Sequence, residues 1–391
     1  MTSRERMLAA LGCRPVDYPP CSFMIFFNLR SRCRDQREFI ERQLELGLDA
    51  FCHVGYLEPS LHPEAAERVW STEGPEGILF HRRIDTPRGA LTQKVRQAGG
   101  WPRADSFCMF NDWIVPRAVE QLVKPAEDLQ KLPYLLGPFR DEAIEKLRVS
   151  AAAARELARA EDLLLVGGWS SINSMLARDD GVMGADAMSW LSGFEEVCAL
   201  SLLQPDVIRE YARIIHEWNL RQLQIYLDVA APDLILRRAW YETTEFWTPA
   251  SYRQIILPLL KREVELVHQA GSRMGLISTS AFMPILEDIL SSGIDVLVGL
   301  DPKEGKGTDL RAVKERFAAA RRAVWGGVSG SLTVEQGTGE ETEAAVREAL
   351  EVLAPGGGFI LSPVDNVRED TERAWANTHR FIEAWKRYRT A

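Results

Sequence analysis

The stretch that decides the fold is GGGFILSPVDNV, residues 356–367. Its glycines end a helix, and Phe359–Leu361 is an apolar run of strand length. Polar side chains follow at Ser362, Asp365 and Asn366, and a charged helix start comes after them. A buried strand that ends in polar residues before a helix is the repeating unit of an α/β protein. In such folds the carboxyl ends of the strands carry the chemistry.

The same unit recurs along the chain. The candidate strands are 22–27, 49–55, 162–169, 233–236, 274–277, 295–301, 323–329 and 359–361. Eight such units predict an α/β fold, a single (β/α)8 TIM-type barrel spanning residues 1–391. Residues 56–138 break the alternation: a hairpin at 79–97 and an irregular, proline-marked segment predict an excursion within the barrel. A doubly wound sheet is the second choice, because no G-x-G-x-x-G follows a strand.

Composition narrows the functional class. The chain has 391 residues, of which 46% are hydrophobic and 26% charged, an ordinary balance for a globular protein. A net charge of −9 argues against binding to nucleic acid, which needs a basic face. No apolar run is long enough to span a membrane, and the first residues lack a signal-peptide core. Six scattered cysteines fit reduced thiols, so we expect a cytoplasmic protein.

Several stretches resemble the uroporphyrinogen decarboxylase superfamily, which also contains methyltransferases that act on corrinoid and thiol carriers. The stretches that carry the likeness are 3–11, 14–17, 248–261, 292–297, 326–328 and 356–361. The resemblance implies a decorated TIM-type barrel with its site at the carboxyl ends of the strands. The oligomeric state stays open, with a homodimer as the candidate because decarboxylase relatives commonly pair.

Departures from the family patterns bear on the reaction. The decarboxylases carry an arginine-rich motif near the first strand and a histidine in the last-strand loop, whereas this chain has FFNLRSR at 26–32 and no histidine in that loop. The zinc methyltransferases carry His-x-Cys where this chain has Ile277-Ser278-Thr279, and a further cysteine near the position of Asp365. Zinc, which needs such ligands, is therefore not expected, and no metal ligand is assigned. Ser362-Pro363 and Asp370-Thr371 resemble the methyltransferase side.

Two arginines at the end of one strand are the first candidate site residues. Arg237 and Arg238 are followed closely by Trp240, Tyr241 and Glu242. A guanidinium at this place can hold a substrate carboxylate or phosphate. Strand alternation can instead send one arginine outward to a salt bridge with a helix. Glu242 is either an acid/base group or the structural partner of the arginines.

Other strand ends contribute further candidates. His53 is a candidate proton carrier, with a hydrogen-bonded core histidine as the alternative. Asp365 is a candidate acid/base group and Asn366 a substrate ligand, although both also fit a cap for the next helix. Asp301 is a similar case at its own strand end.

Hydroxyl and aromatic side chains complete the predicted pocket. Ser278 and Ser280 are predicted to hydrogen-bond to a substrate, because no activating base lies nearby in sequence. Three tryptophans at or near strand ends, Trp169, Trp240 and Trp325, with Tyr241, are predicted to wall an aromatic pocket for a flat ring or a methylated cation. The alternative is that they are core, as buried tryptophans more often are.

The resemblance and these residues together leave three functions open, of which the resemblance implies the first. The first is a methyltransferase that moves a methyl group from a small substrate to a corrinoid carried by a partner protein, in line with the resemblance. The second is a metal-independent decarboxylase of a small carboxylated molecule, tetrapyrrole-like ones included, that the arginine pair would hold. The third is a non-catalytic barrel that binds a ligand.

Overall fold

A computed structural model describes residues 1–55, 57–75, 77–97, 108–169, 181–364 and 367–390. Parallel strands within it form one seven-stranded sheet in the order β1-β6-β7-β8-β9-β10-β11, and an antiparallel sheet has the order β2-β3-β4-β5. The strands of the described residues are β1 (Phe51–His53), β2 (Ala66–Gly74), β3 (Gly77–Thr86), β4 (Gly89–Arg96), β5 (Ala118–Glu120), β6 (Leu164–Gly168), β7 (Leu234–Arg238), β8 (Arg273–Ile277), β9 (Val296–Leu300), β10 (Ala323–Ser329) and β11 (Phe359–Val364).

Helices connect the parallel strands, as parallel pairing requires. Side-chain caps start several of them: Thr338, for example, accepts from the N–H of Glu341, whose carboxylate accepts from the N–H of Thr338 in return. Within the described ranges the α-helices are α1 (Ser3–Leu11), α2 (Phe27–Arg30), α3 (Gln36–Glu45), α4 (Pro125–Asp128), α5 (Leu132–Leu135), α6 (Asp141–Ala160), α7 (Asp186–Ser192), α8 (Phe194–Leu203), α9 (Pro205–Ala230), α10 (Pro249–Ser251), α11 (Leu257–Gln269), α12 (Leu286–Ser291), α13 (Leu310–Ala319), α14 (Gly339–Leu353) and α15 (Glu372–Tyr388). Between α10 and α11 the same helix continues as a π-helical segment, Tyr252–Ile256.

The seven-stranded sheet is curled, with one core inside the curl and one outside it. Alternate strand residues point to opposite faces. The inner cluster includes Leu164, Val166, Leu234, Leu236, Ile277, Val298, Trp325 and Ile360. The outer cluster, which packs on the helices, includes Ile235, Met274, Leu297, Val324 and Phe359. The fold is therefore TIM-like, as the strand–helix alternation predicts.

The predicted first strand, 22–27, is wrong. Phe23 and Phe26 are both buried with ring centroids 4.5 Å apart, which a straight strand would prevent by sending residues three apart to opposite faces. The part that runs beside the sheet is Ser22 with the two residues before it. Ser22 N–H donates to Leu361 O (3.0 Å), and Asp49 N–H donates to Cys21 O (2.8 Å). Residues 20–22 thus lie between β11 and the start of β1.

The predicted hairpin at 79–97 is present as β3 and β4, which turn between Thr86 and Gly89. The antiparallel sheet extends it on both sides, and β2 was not predicted because its alternation is mostly polar. Phe80, Val95 and Ile114 form a small core under this sheet. No helix in the described ranges has both the length and the apolar character to cross a membrane.

Candidate functional site

The two arginines of β7 point in opposite directions. Arg238 lies on the inner face with Leu234 and Leu236, whereas Arg237 lies on the outer face with Ile235. The cause is the two-residue period of the strand. Strand alternation therefore sends one of the predicted pair to the outer face of the curled sheet.

Arg237 sits in a buried ion-pair network on the outer face. It donates through Nη1 and Nη2 to the carboxylate of Glu242 (2.6 and 3.0 Å), and through Nε to Glu263 of α11. His216 and Asn219 of α9 both hydrogen-bond to the other oxygen of Glu263, Oε1, each at 2.9 Å. Burial disfavours the charge on Arg237, but the two carboxylates outweigh it and raise its pKa.

Glu242 belongs to this outer network. Its carboxylate holds Arg237 and also accepts from the backbone N–H of Ala185 (2.6 Å). Glu242 was predicted to be either an acid/base group or a structural partner of the arginines. Its contacts are those of a structural partner. The inner-face site described next therefore includes neither Arg237 nor Glu242.

Arg238 is the centre of the inner-face site. Its Nε donates to Asp186 (2.7 Å) and its Nη2 donates to both oxygens of Asp112 (2.7 and 2.9 Å). Its guanidinium carbon lies 4.4 Å from the ring centroid of Trp190 and 4.3 Å from that of Trp240. Aromatic rings therefore lie around this guanidinium, and the cation that they contact is the protein's own Arg238.

Asp112 lies in the 56–138 segment and connects it to the seven-stranded sheet through Arg238. Besides Arg238, it accepts hydrogen bonds from Trp190 Nε1 (2.8 Å) and from the Tyr241 hydroxyl. Burial opposes ionisation of Asp112, but Arg238 and these donors outweigh it, so its pKa lies below the ordinary value. Burial and the Asp112 charge both raise the pKa of Tyr241, which keeps its hydroxyl protonated.

Asp186 is the second carboxylate on Arg238 and is fully buried. It also accepts from the backbone N–H of Tyr241 (2.9 Å). Burial raises its pKa to about 6, because the opposing charge of Arg238 does not fully compensate and Glu242 adds to the rise. A carboxyl group that titrates this close to neutral pH is a candidate for proton transfer.

His53 lies on the inner face at the end of β1. Its Nε2 is 3.2 Å from Gly168 O, so Nε2 carries the hydrogen and Nδ1 is left as an acceptor. Burial lowers the pKa of His53 to about 4, so the ring is neutral at neutral pH. Trp169, next to Gly168, lies edge-on to Trp240 with centroids 5.1 Å apart. These contacts join His53 to the surroundings of Arg238.

We predict a pH signature for His53. Its pKa is lower in the folded protein than the ordinary 6.5, so the unfolded chain binds the proton more tightly. Stability from this group is present above pH 6.5 and is lost as the pH falls toward 4. The difference in unfolding free energy between wild type and His53→Gln should shrink by roughly 3 kcal/mol between pH 7 and pH 4. Urea unfolding across this range measures it, and a constant difference would contradict it.

Comparisons with known proteins agree with this architecture. A family model described as uroporphyrinogen decarboxylase (URO-D) matches residues 185–388, more than half of the chain. The chain belongs to the uroporphyrinogen decarboxylase family. Among curated proteins no sequence matches it. The part matched by the family model includes Asp186, Arg237 and Arg238, while His53 and Asp112 lie before it.

Solved structures similar to this family member include a methyltransferase from Methanosarcina mazei. It is 18% identical over 99% of both chains, with a TM-score of 0.61, which shows a shared fold. A B12-independent methionine synthase from Shewanella sp. W3-18-1 is 12% identical over 61% of this chain and 65% of its own, with a TM-score of 0.36. 3-keto-D-glucoside 4-epimerase from E. coli is 14% identical over 63% and 87%, also at 0.36. The last two scores are too low to add to the fold assignment.

Three further predicted residues of this URO-D family member, Ser278, Ser280 and Asp301, follow the ends of β8 and β9. Ser280 donates to Glu245 near the surface. Asp301 is buried and accepts from the N–H groups of Lys303 and Glu304 (2.7 and 2.9 Å), as a turn cap does. Ser278 is buried, and its hydroxyl has no hydrogen-bond partner among the described groups. Asp365 and Asn366 lie outside the described residues.

Sequence reasoning missed Asp112 and Asp186. Asp112 falls in the irregular segment, where no periodicity places a residue against the barrel. A signal did exist: a buried guanidinium needs a carboxylate, so two arginines at a buried strand end require acidic partners from elsewhere.

Within the ranges that the structure describes, no group of three or more His, Cys, Asp or Glu side chains could hold a metal ion.

Proposed function

We propose that this URO-D family enzyme is a methyltransferase. It would take a methyl group from a small methylated substrate and pass it to a corrinoid carried by a partner protein. The likeness of fold to a methyltransferase along the whole chain supports this proposal. The shared fold does not by itself distinguish methyl transfer from decarboxylation. The contacts of Arg237 and Arg238 favour methyl transfer.

The observation that carries the proposal is that each arginine of β7 already binds two carboxylates. Arg237 holds Glu242 and Glu263, and Arg238 holds Asp112 and Asp186. A decarboxylase that used this pair would need a guanidinium free to receive the substrate carboxylate. A substrate carboxylate at Arg238 would instead meet two carboxylates of the protein, which costs electrostatic energy. A neutral methylated substrate meets no such repulsion.

The inner-face residues have distinct proposed roles. Trp240 and Tyr241 are half-buried and would contact the substrate, with Trp169 behind them. Arg238 would position Tyr241 through the shared Asp112 and Asp186. These contacts fix the aromatic walls before the substrate arrives, which is how positioning lowers a barrier.

Methyl transfer breaks the bond between the methyl carbon and the substrate heteroatom. Both bonding electrons stay on the heteroatom, which then needs a proton. His53 is neutral above about pH 4, so its proposed part is to accept a hydrogen bond at Nδ1. Asp365, predicted from its place after the last strand, stays the proposed proton donor. The corrinoid supplies the acceptor for the methyl group.

The closure of the barrel, the location of the protein in the cell and its partners are also proposals. We propose that residues 20–22 close the curled sheet into an eight-membered barrel, which their hydrogen bonds to Leu361 and Asp49 support. A cytoplasmic location, a corrinoid-protein partner and a homodimer are proposed on the sequence pattern and family membership. A single domain that includes residues 56–138 stays a prediction.

The test is methyl transfer to a reduced corrinoid. The purified protein is mixed anaerobically with cob(I)alamin and, one at a time, with deuterated methyl ethers, methylthiols and methylamines. We expect trideuteromethyl-cobalamin, detected by mass spectrometry, from at least one donor class. No methylated corrinoid from any class, with carbon dioxide released from a carboxylated aromatic substrate instead, would contradict methyl transfer and favour decarboxylation.

A further inference from the structure

A groove lies within the 56–138 segment, between the turn of the β3–β4 hairpin and α5. Its volume is about 440 Å³, which is within the range of small-molecule sites. The residues that line it are His62, Glu64, Arg88, Gln130, Pro133 and Tyr134. None of them is among the residues assigned to the inner-face site, and all of them lie before the part of the chain that the family model matches. A ligand in this groove would therefore occupy a second site.

Hydrogen bonds hold both walls of this groove in place. On the hairpin side, Lys131 Nζ donates to Ala90 O (3.1 Å) and also pairs with Asp128 (2.6 Å). On the other side, the backbone N–H of His62 donates to Tyr134 O (2.9 Å). Because these contacts fix the backbone on both sides, the groove is formed before a ligand arrives, as most small-molecule sites are.

Two side chains of opposite charge line the groove without forming an ion pair. Arg88 makes no ion pair with any residue that the structure describes. The carboxylate of Glu64 approaches His62 Nδ1 (3.7 Å), but that atom accepts the backbone N–H of Glu64 (3.2 Å) and so carries no hydrogen to share. A guanidinium and a carboxylate that line one groove in this way can each bind a ligand group of the opposite charge.

An aromatic ring also lines the groove. Tyr134 is half-buried, and its ring lies edge-on to the ring of His62 with centroids 5.3 Å apart. The ring of Pro133 adds further apolar surface. Aromatic side chains pack favourably against other flat rings in edge-to-face and offset arrangements. The groove therefore offers a cation, an anion and an apolar surface to one ligand.

We propose that this groove binds an aromatic α-amino acid as its zwitterion. Arg88 would donate to the carboxylate of the ligand, Glu64 would accept from its ammonium group, and its ring would pack against Tyr134. A simple anion would be repelled by Glu64 and a simple cation by Arg88, so charge complementarity favours a ligand that carries both charges. This binding does not depend on which reaction the inner-face site carries out.

Equilibrium dialysis of the full-length protein with radiolabelled L-phenylalanine tests the chemistry of the ligand. We expect saturable binding. Unlabelled 3-phenylpropionate, phenethylamine and L-alanine should each compete at least tenfold more weakly than phenylalanine, because each lacks one group that the groove matches. No saturable binding at millimolar concentrations, or an analogue that competes as well as phenylalanine itself, would overturn the proposal.

Substitutions in the groove test where the ligand binds. Arg88→Gln removes the cation at an exposed turn position, so the protein should stay folded while the affinity for L-phenylalanine falls about tenfold. Glu64→Gln should weaken L-phenylalanine but not 3-phenylpropionate, which has no ammonium group. Arg83→Gln is the matched control, because Arg83 belongs to the same hairpin but pairs with Asp85 (2.7 Å) and does not line the groove. Affinity that Arg88→Gln leaves unchanged, or that Arg83→Gln lowers equally, would contradict this site.

Discussion

Replacement of Arg237 by methionine should lower the free energy of unfolding by about 3–5 kcal/mol. Methionine fills most of the space of the arginine stem but leaves Glu242 and Glu263 buried without their cation. Both carboxylates have side-chain exposures of 2% or less, so water cannot replace the lost partner. The cost is that of an uncompensated buried charge, and it is measured by urea unfolding at pH 7.

The control for this prediction is Arg213→Met. Arg213 also makes a two-pronged contact with a glutamate, Glu210 (both at 2.8 Å), but its side chain is 53% exposed. An exposed pair of this kind contributes about 0–1 kcal/mol. Adding Glu242→Gln and Glu263→Gln to Arg237→Met should recover part of the loss. Equal costs for Arg237→Met and Arg213→Met would show that the outer network does not stabilise the fold as its burial implies.

Arg238→Lys should reduce methyl transfer about 100-fold while the protein stays folded. Lysine keeps the charge but has one compact ammonium group, so it cannot bridge Asp112 and Asp186 in the way the guanidinium fork does. The hydroxyl and backbone of Tyr241 are held by these same two carboxylates, so the aromatic wall should shift. Single-turnover rates at saturating donor measure the effect, and circular dichroism confirms the fold.

Arg32→Lys is the matched control. Arg32 makes the same two kinds of contact, an ion pair with Asp370 and a position over the Trp375 ring (4.4 Å), but its side chain is 47% exposed. Its replacement should change the rate less than twofold. If Arg238→Lys transferred methyl groups as fast as the wild type, the inner-face cluster would not be the site.

Regular alternation in the sequence made the sheet predictable. Glycine stops, apolar runs and polar strand ends place β6 to β11 within a few residues of their observed bounds. The segment 22–27 has the same apolar composition but folds differently, because Phe23 and Phe26 pack against each other in the outer core. Composition alone does not separate a strand from a compact turn whose apolar residues share one side.

Part of the site could be predicted because strand ends converge in this fold. Trp169, Arg238, Trp240 and Tyr241 come together on the inner face as their positions at strand ends imply. His53 hydrogen-bonds to the backbone oxygen of Gly168, next to Trp169. To choose between Arg237 and Arg238, one must know which residues of β7 face inward. The predicted strand ended at residue 236, so the sequence did not show that the alternation continues through Arg238. Asp112 could not be placed at all, since it reaches Arg238 from 126 positions away through a segment without periodicity.

A double-mutant cycle of Asp112→Asn and Arg238→Lys on the methyl-transfer rate tests most directly whether the inner-face cluster acts as one unit. If the two side chains position the same aromatic wall, the double variant should be no slower than the slower single variant. Rate losses that multiply, or a wild-type rate in either single variant, would contradict a shared role of Asp112 and Arg238.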